Sequence, residues 1–356
     1  MVDEYVDELQ AQNAGTNDQT QETVQRETVL EIQNLKKYFP VKGLLGRTKQ
    51  NVKAVEDVSF TLQKGETLGL VGESGCGKST LGRTILRLTE PTEGRILLHG
   101  EDITKLSEKE LRPYRRKMQM VFQDPYSALD PRVRIGHALE EILEIQGIDL
   151  GGKAGREAYC KEILKRVGLK EEMYLRFPHE FSGGQRQRIV IAKALILEPE
   201  LLICDEPVSA LDVSVQAQIM NLLRDIKKTQ GISCIFISHD ISVVRYISDR
   251  IAVMYLGHIV EVGETDEIIR NPKHPYTQSL LSAVPTLDTN RDKKRTILTG
   301  DVPSPLNPPS GCPFHTRCPH CTDACKEALP QLQGTASHLV RCRGDGSFVT
   351  RSAPLA

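Results

Sequence analysis

The sequence has almost no net charge, with 46 Lys and Arg against 47 Asp and Glu for a balance of −1. That removes the global basic field with which a nucleic-acid binder gathers phosphate backbone, so no nucleic-acid partner is expected. It also lacks any apolar run approaching the ~18 residues of a membrane span. Met1 to Glu8 carry four acidic side chains and no basic one, which does not resemble a secretory leader, and a cytosolic protein is the expectation. Cysteine is sparse over most of the length, and five of the nine crowd into the last 45 residues. A disulfide scaffold spreads its cysteines through a short chain, whereas this crowding points to a metal site in a reducing compartment. With 356 residues, 39% of them hydrophobic, the chain is long enough for about two soluble domains.

What is present is organised around Gly72-Glu73-Ser74-Gly75-Cys76-Gly77-Lys78-Ser79-Thr80. Four residues separate Gly72 from Gly77-Lys78-Ser79, the spacing of a loop that cradles nucleotide phosphates. Such a loop works where a strand enters it and a helix leaves it. Thr67-Leu68-Gly69-Leu70-Val71 reads as a buried strand, and Leu81, Ile85 and Leu88 recur on one face of a helix. The glycines let backbone N–H groups converge on the β-phosphate, Lys78 supplies charge toward the β- and γ-phosphates, and the Ser79 hydroxyl can ligate Mg²⁺. A glycine-rich turn with an accidental lysine is the alternative.

Residues 1–27 are rich in Gln, Asn, Thr, Glu and Asp and read as a mobile tail that cannot bury enough apolar surface to order itself. A strand from Thr28 leads to Tyr38-Phe39-Pro40, where an aromatic face could stack on adenine or simply pack on a sheet. Lys42 to Gln50 reads as a basic surface loop. Met118 to Phe122 is strand-like and delivers Gln123, whose amide can meet Mg²⁺ or a water or stand solvated. Between about 125 and 197 strand signals give way to helical ones, with Leu139, Ile142, Leu143, Ile163, Leu164 and Val167 at helical spacing. Ser182-Gly183-Gly184-Gln185 then opens a helix and offers free N–H groups to an anion. Leu201 to Cys204 is a buried strand ending in Asp205-Glu206, whose side chains must point to opposite faces. Asp205 therefore suits the Mg²⁺ shell with Ser79, while Glu206 suits polarisation of an attacking water. Asp212 follows at a turn where capping a helix is the plain reading. A third buried strand, Ser233 to Ser238, ends in His239, placed for a phosphate or water contact. A boundary falls near Asn271 to Pro275, and beyond it proline and the clustered cysteines dominate.

These motifs, in this order over residues 28–270, resemble the ATPase subunit of an ABC transporter. His274-Pro275-Tyr276-Thr277 and the proline- and cysteine-rich tail of 271–356 look like its oligopeptide/dipeptide/nickel importer branch. The run from Phe122 to Pro131 looks like the second of that branch's two ATPases. The resemblance implies an α/β fold: a P-loop core with an antiparallel β subdomain, an inserted helical subdomain at about 125–197 and a small C-terminal extension. It implies ATP hydrolysis with Mg²⁺ to power uptake of oligopeptides, dipeptides or a similar solute. Nucleotide contacts are then expected from Gly72, Ser74, Gly75, Cys76, Gly77, Lys78, Ser79, Thr80, Gln123, Asp205 and Asp212. Phe39 falls where the family's adenine-stacking aromatic lies, with Tyr38 the alternative. Glu206, His239 and Gln123 are the expected catalytic residues, and Ser79, Gln123 and Asp205 the Mg²⁺ ligands. Ser182, Gly183, Gly184 and Gln185 are expected to reach the γ-phosphate held by a second ATPase subunit, a paralogue paired head to tail. Two permease subunits and, through them, an extracytoplasmic binding protein complete the expected assembly, with this chain peripheral on the cytoplasmic face of the cell membrane. Phe181 stands where leucine is more usual in the family.

In the tail, Cys312, Cys318, Cys325 and Cys342 are separated by five, six and sixteen residues, with Cys321 an extra member. Only Cys318-Pro319-His320-Cys321 has the short spacing of a zinc ribbon, and it is not repeated. The importer resemblance makes the four cysteines ligands of a [4Fe–4S] cluster. Zn²⁺ on four sulfurs and free thiols are the alternatives.

Overall fold

The computed structural model describes residues 27–42, 48–283, 300–335 and 337–344. The expected mobile tail, apart from Glu27, lies outside the described residues. Two sheets carry the architecture. The smaller is antiparallel, in the order β2-β1-β4-β5, from β1 (Thr28–Lys42), β2 (Thr48–Gln63), β4 (Glu93–Leu98) and β5 (Glu101–Asp102). The larger has eight strands in the order β11-β12-β10-β9-β3-β8-β7-β6. Its parallel part joins β6 (Met118–Val121), β7 (Leu201–Asp205), β8 (Ser233–Ser238), β3 (Thr67–Val71) and β9 (Arg250–Tyr255). Strands β3, β7 and β8 are buried at every position, as parallel strands covered on both faces must be. Their C-terminal ends align along one edge, where an open α/β sheet receives ligands.

Two sequence expectations change. The stretch read as a loop from Lys42 to Gln50 is strand at both ends, with β1 running to Lys42, β2 beginning at Thr48 and Val41 pairing with Gln50, while 43–47 lie outside the described residues. A cross-strand ladder satisfies backbone groups that a loop would leave to water, and this outweighs the local basic composition. Helix α1 (Lys78–Ile85) stops before Leu88, which is 49% exposed and not on its buried face. Arg87 adopts the left-handed conformation, φ +54°, which ends the helix ahead of the Pro91 signal.

After α2 (Glu108–Lys117), three helices occupy the stretch read as helical: α3 (Ile135–Ile145), α4 (Gly152–Arg166) and α5 (Gly183–Leu195). Leu139, Leu143, Ile163, Leu164 and Ile189 from these helices share one core with Val121, Cys204 and Phe236 of the sheet. The helical layer is therefore packed on the strands it interrupts.

Beyond α6 (Val213–Gln230), α7 (Ile241–Ile247), β10 (His258–Glu264) and α8 (Thr265–Arg270), the C-terminal residues are built onto the same sheet. β12 (His338–Val340) pairs antiparallel with β10, and β11 (Gln333–Thr335) pairs with β12. Glu261 of β10, fully buried, accepts the N–H groups of Lys273 and His274 and meets His338 Nε2 at 2.6 Å. A buried carboxylate with three partners is satisfied, and it ties the start and end of the C-terminal region to one strand. Among the described residues, no helix is long and apolar enough to cross a membrane.

Candidate functional site

The loop from Gly72 to Gly77 leaves β3 and opens α1, as the sequence predicts. Gly77 sits at φ +108°, and a Cβ there would come within 2.0 Å of Ala54 O. Only glycine lets the backbone pass so close to β2 while taking that conformation. Gly257 N donates to Cys76 O at 2.9 Å, bracing the loop against the β9–β10 turn. Lys78 is nearly buried, and its Nζ donates to Gly72 O at 2.7 Å and Glu73 O at 2.9 Å. The ammonium is thus held inside the curve of the loop, where phosphate oxygens can replace the carbonyls as its acceptors.

Ser79 Oγ donates to Asp205 Oδ1 at 2.6 Å. Asp205 is 1% exposed at the end of β7, and burial raises its carboxyl above the ordinary range against the pull of the Ser79 hydroxyl. Two adjacent hard oxygen donors with a partly desolvated carboxylate suit a small divalent cation such as Mg²⁺.

The next residue points elsewhere. Glu206 Oε2 lies 3.2 Å from Gln123 Nε2 and 3.2 Å from His239 Nδ1. Each of the three follows the C-terminal end of a different parallel strand, β6, β7 or β8, so the sheet register brings them together. Glu206 occupies the left-handed region at φ +47°, while its N–H still bonds to Ile237 O at 3.0 Å. That conformation is costly for a residue with a side chain, and the neighbouring strand enforces it. The result is a carboxylate flanked by an amide and an imidazole, able to orient a water and to take up its proton.

The remaining candidates stand apart. Phe39 is 40% exposed, whereas the Tyr38 hydroxyl donates to Glu56 at 2.7 Å. Ser182 caps α5: Gln185 N donates to Ser182 Oγ and Ser182 N donates to Gln185 Oε1. Among the described residues, no hydrogen bond or ion pair joins this turn, exposed at Ser182, to the 72–80 loop. Asp212 occupies the N-cap position of α6 without a side-chain capping bond.

In the C-terminal region, Cys312, Cys318, Cys325 and Cys342 line one cavity of about 80 Å³, with His315 and Phe314 beside them. Cys321 is not in the lining. Burial pushes the Cys312 and Cys318 thiols up to about 11. Gly344 N donates to Cys342 Sγ at 3.4 Å, and Thr322 Oγ1 lies 3.3 Å from Cys325 Sγ. Among the described residues, no group of three or more His, Cys, Asp or Glu side chains is arranged to hold a metal ion.

What surrounds Glu73 leaves no mark in the local sequence. Tyr276 OH accepts its N–H at 2.8 Å, and Arg317 forms two hydrogen bonds to its carboxylate, at 2.8 and 3.1 Å. The His274-Pro275-Tyr276-Thr277 run was visible in the sequence, but nothing in its spacing pointed to a loop two hundred residues upstream.

Residues 55–209 match the ABC transporter family, and residues 260–325 match the oligopeptide/dipeptide transporter C-terminal region. The oligopeptide transport ATP-binding protein AppF of Bacillus subtilis (strain 168) is 53% identical over 322 residues, 89% of this chain and 97% of that one. A probable peptide ABC transporter ATP-binding protein, y4tS, of Sinorhizobium fredii is 52% identical over 309 residues, 86% of each chain. Among solved structures, the ATP-binding cassette MJ0796, a dimer in a post-hydrolysis state with ADP and Pi, superposes with a TM-score of 0.60. It is 29% identical and matches 66% of this chain and 98% of its own.

Proposed function

The chain belongs to the ABC transporter family of ATP-binding proteins, and from that premise we propose that it is the ATP-hydrolysing subunit of a peptide importer. The observation that carries the chemistry is the convergence of Gln123 and His239 on the Glu206 carboxylate, one residue beyond the Ser79–Asp205 pair. ATP is read as lying with adenine on Phe39 and its phosphates in the 72–80 loop under Lys78. Ser79 and Asp205, with the Gln123 carbonyl, would hold Mg²⁺, which neutralises charge on the β- and γ-phosphates. Glu206 orients a water in line with the γ-phosphorus and takes its proton as the P–O bond to ADP breaks. His239 is read as meeting the equatorial oxygens, and the products are ADP and inorganic phosphate.

Among the described residues, no hydrogen bond or ion pair ties the Ser182–Gln185 turn, exposed at Ser182, to the phosphate loop of its own chain, which supports a site completed by a second ATPase subunit. We read that partner as a paralogue, with the pair peripheral to the cytoplasmic face of a membrane and docked on two permease subunits fed by an external binding protein. Peptide as cargo rests on the named functions of AppF and y4tS and on the C-terminal region match.

The four cysteines on one cavity are read as the ligands of a [4Fe–4S] cluster. Their soft thiolate donors, four of them lining one cavity, fit iron–sulfur chemistry. Bound there, a cluster would cross-link the tail and respond to oxidation. Reconstitution with the permease subunits and binding protein in liposomes tests the function. ATP-dependent accumulation of labelled peptide is expected, and ATP turnover that peptide-loaded binding protein leaves unchanged, without uptake, would contradict it.

A further inference from the structure

Glu73 is the second residue of the phosphate loop, and both of its ends are held from the C-terminal region. Its backbone N–H donates to Tyr276 OH at 2.8 Å, and its two carboxylate oxygens accept from Arg317 Nη1 and Nη2 at 2.8 and 3.1 Å. Its carbonyl is an acceptor of Lys78 Nζ. Arg317 is 8% exposed and sits in the segment between Cys312 and Cys318. That segment is keyed into the core by Phe314, fully buried, whose ring meets Tyr255 at 5.2 Å and Tyr276 at 5.4 Å.

A carboxylate on a loop that receives a polyphosphate repels its ligand unless it is neutralised. A bidentate, nearly buried arginine neutralises it and fixes its direction, although the Glu73 side chain itself stays 28% exposed. Holding Glu73 also fixes the carbonyl that positions Lys78. We propose that Arg317, assisted by Tyr276, is a positioning residue for ATP binding: it cancels the Glu73 charge and sets the phosphate loop in its receiving shape. The cysteine segment thereby acts on the nucleotide site without touching nucleotide. The inference rests on the reading of residues 72–80 as the ATP phosphate site.

The test is a titration of the full-length protein with a fluorescent ATP analogue, together with steady-state ATPase kinetics and a thermal melt for each variant. Arg317→Gln is expected to raise Kd and KM about tenfold, the mid-range for coupling within one ion-pair network, with kcat unchanged. Arg317→Lys should recover most of that loss. In a Glu73→Gln background the same Arg317→Gln change should alter Kd by less than about twofold, because no charge remains to cancel. Tyr276→Phe, which keeps the aromatic packing, should weaken binding about threefold through the lost hydrogen bond and provides a second handle if Arg317→Gln does not fold. Wild-type affinity in Arg317→Gln, or an equal loss with and without the Glu73 charge, would overturn the proposal while leaving the ATP site intact. If Arg317→Gln does not fold, wild-type affinity in Tyr276→Phe overturns it. A wild-type protein that does not bind ATP would overturn the phosphate-site reading and this inference together.

Discussion

Ser79 Oγ and Asp205 Oδ1 are 2.6 Å apart, joining the first turn of α1 to the last residue of β7. The pair spans 126 residues of sequence, and it marks where phosphate loop and core strand become one site.

Asp205 is placed for a cation at the expense of stability. Its carboxyl is raised by burial, so between the ordinary carboxylate range and that raised value the folded protein holds a proton that the unfolded chain has released. Stability from this group is present at low pH and is lost as pH rises through the raised value, so at neutral pH the charged side chain destabilises the fold. Asp205→Asn should melt higher than the wild type at neutral pH without Mg²⁺ and nucleotide, and the gap should narrow toward about pH 4, near the ordinary carboxylate value. The same variant should lose Mg²⁺-dependent ATPase activity. Calorimetry at the two pH values checks the first expectation and phosphate release the second.

Adenine stacking separates two neighbouring aromatics. Phe39 is exposed, with Lys37 Nζ 4.8 Å from its ring centroid, while Tyr38 is committed to Glu56. Phe39→Ala should weaken ATP binding roughly 3- to 10-fold, the range for loss of one aromatic stacking contact. Tyr38→Phe should leave nucleotide affinity unchanged and cost about 1 kcal/mol of stability for the hydrogen bond to Glu56. Fluorescence titration and urea unfolding of the two variants distinguish the roles.

The parts of this site that lie within a strand, or just past one, were legible in the sequence. Apolar runs ending in Gly72, Asp205-Glu206 and His239 are strands whose exits must share an edge, and period and length alone convey that. The end of α1 was not legible, because a left-handed Arg87 carries no compositional mark. Nor was the β1–β2 ladder at Val41 and Gln50, since cross-strand pairing depends on the partner strand. Least visible was the Arg317–Glu73 pair, separated by 244 residues. A surface-type arginine in a proline-rich tail becomes a buried counterion only once Phe314 has docked on Tyr255 and Tyr276.

The four cysteines on one cavity give a colour test. Protein purified without oxygen should be brown, with broad absorbance near about 400 nm from an iron–sulfur chromophore. Cys312→Ser should abolish the colour. Cys321→Ser should keep it, because Cys321 does not line the cavity. Colourless wild-type protein with one zinc per chain would contradict the cluster.

The proposed chemistry turns on Glu206, held by Gln123 and His239, activating water for attack on ATP. Glu206→Gln keeps the backbone and volume and removes the base. The direct measurement is phosphate release by the transporter assembled with this variant, alongside retained nucleotide in the same sample. ATP should bind as in the wild type and turnover should fall at least about 100-fold, the lower bound for loss of a general base; undiminished phosphate release would show that Glu206 is not the base.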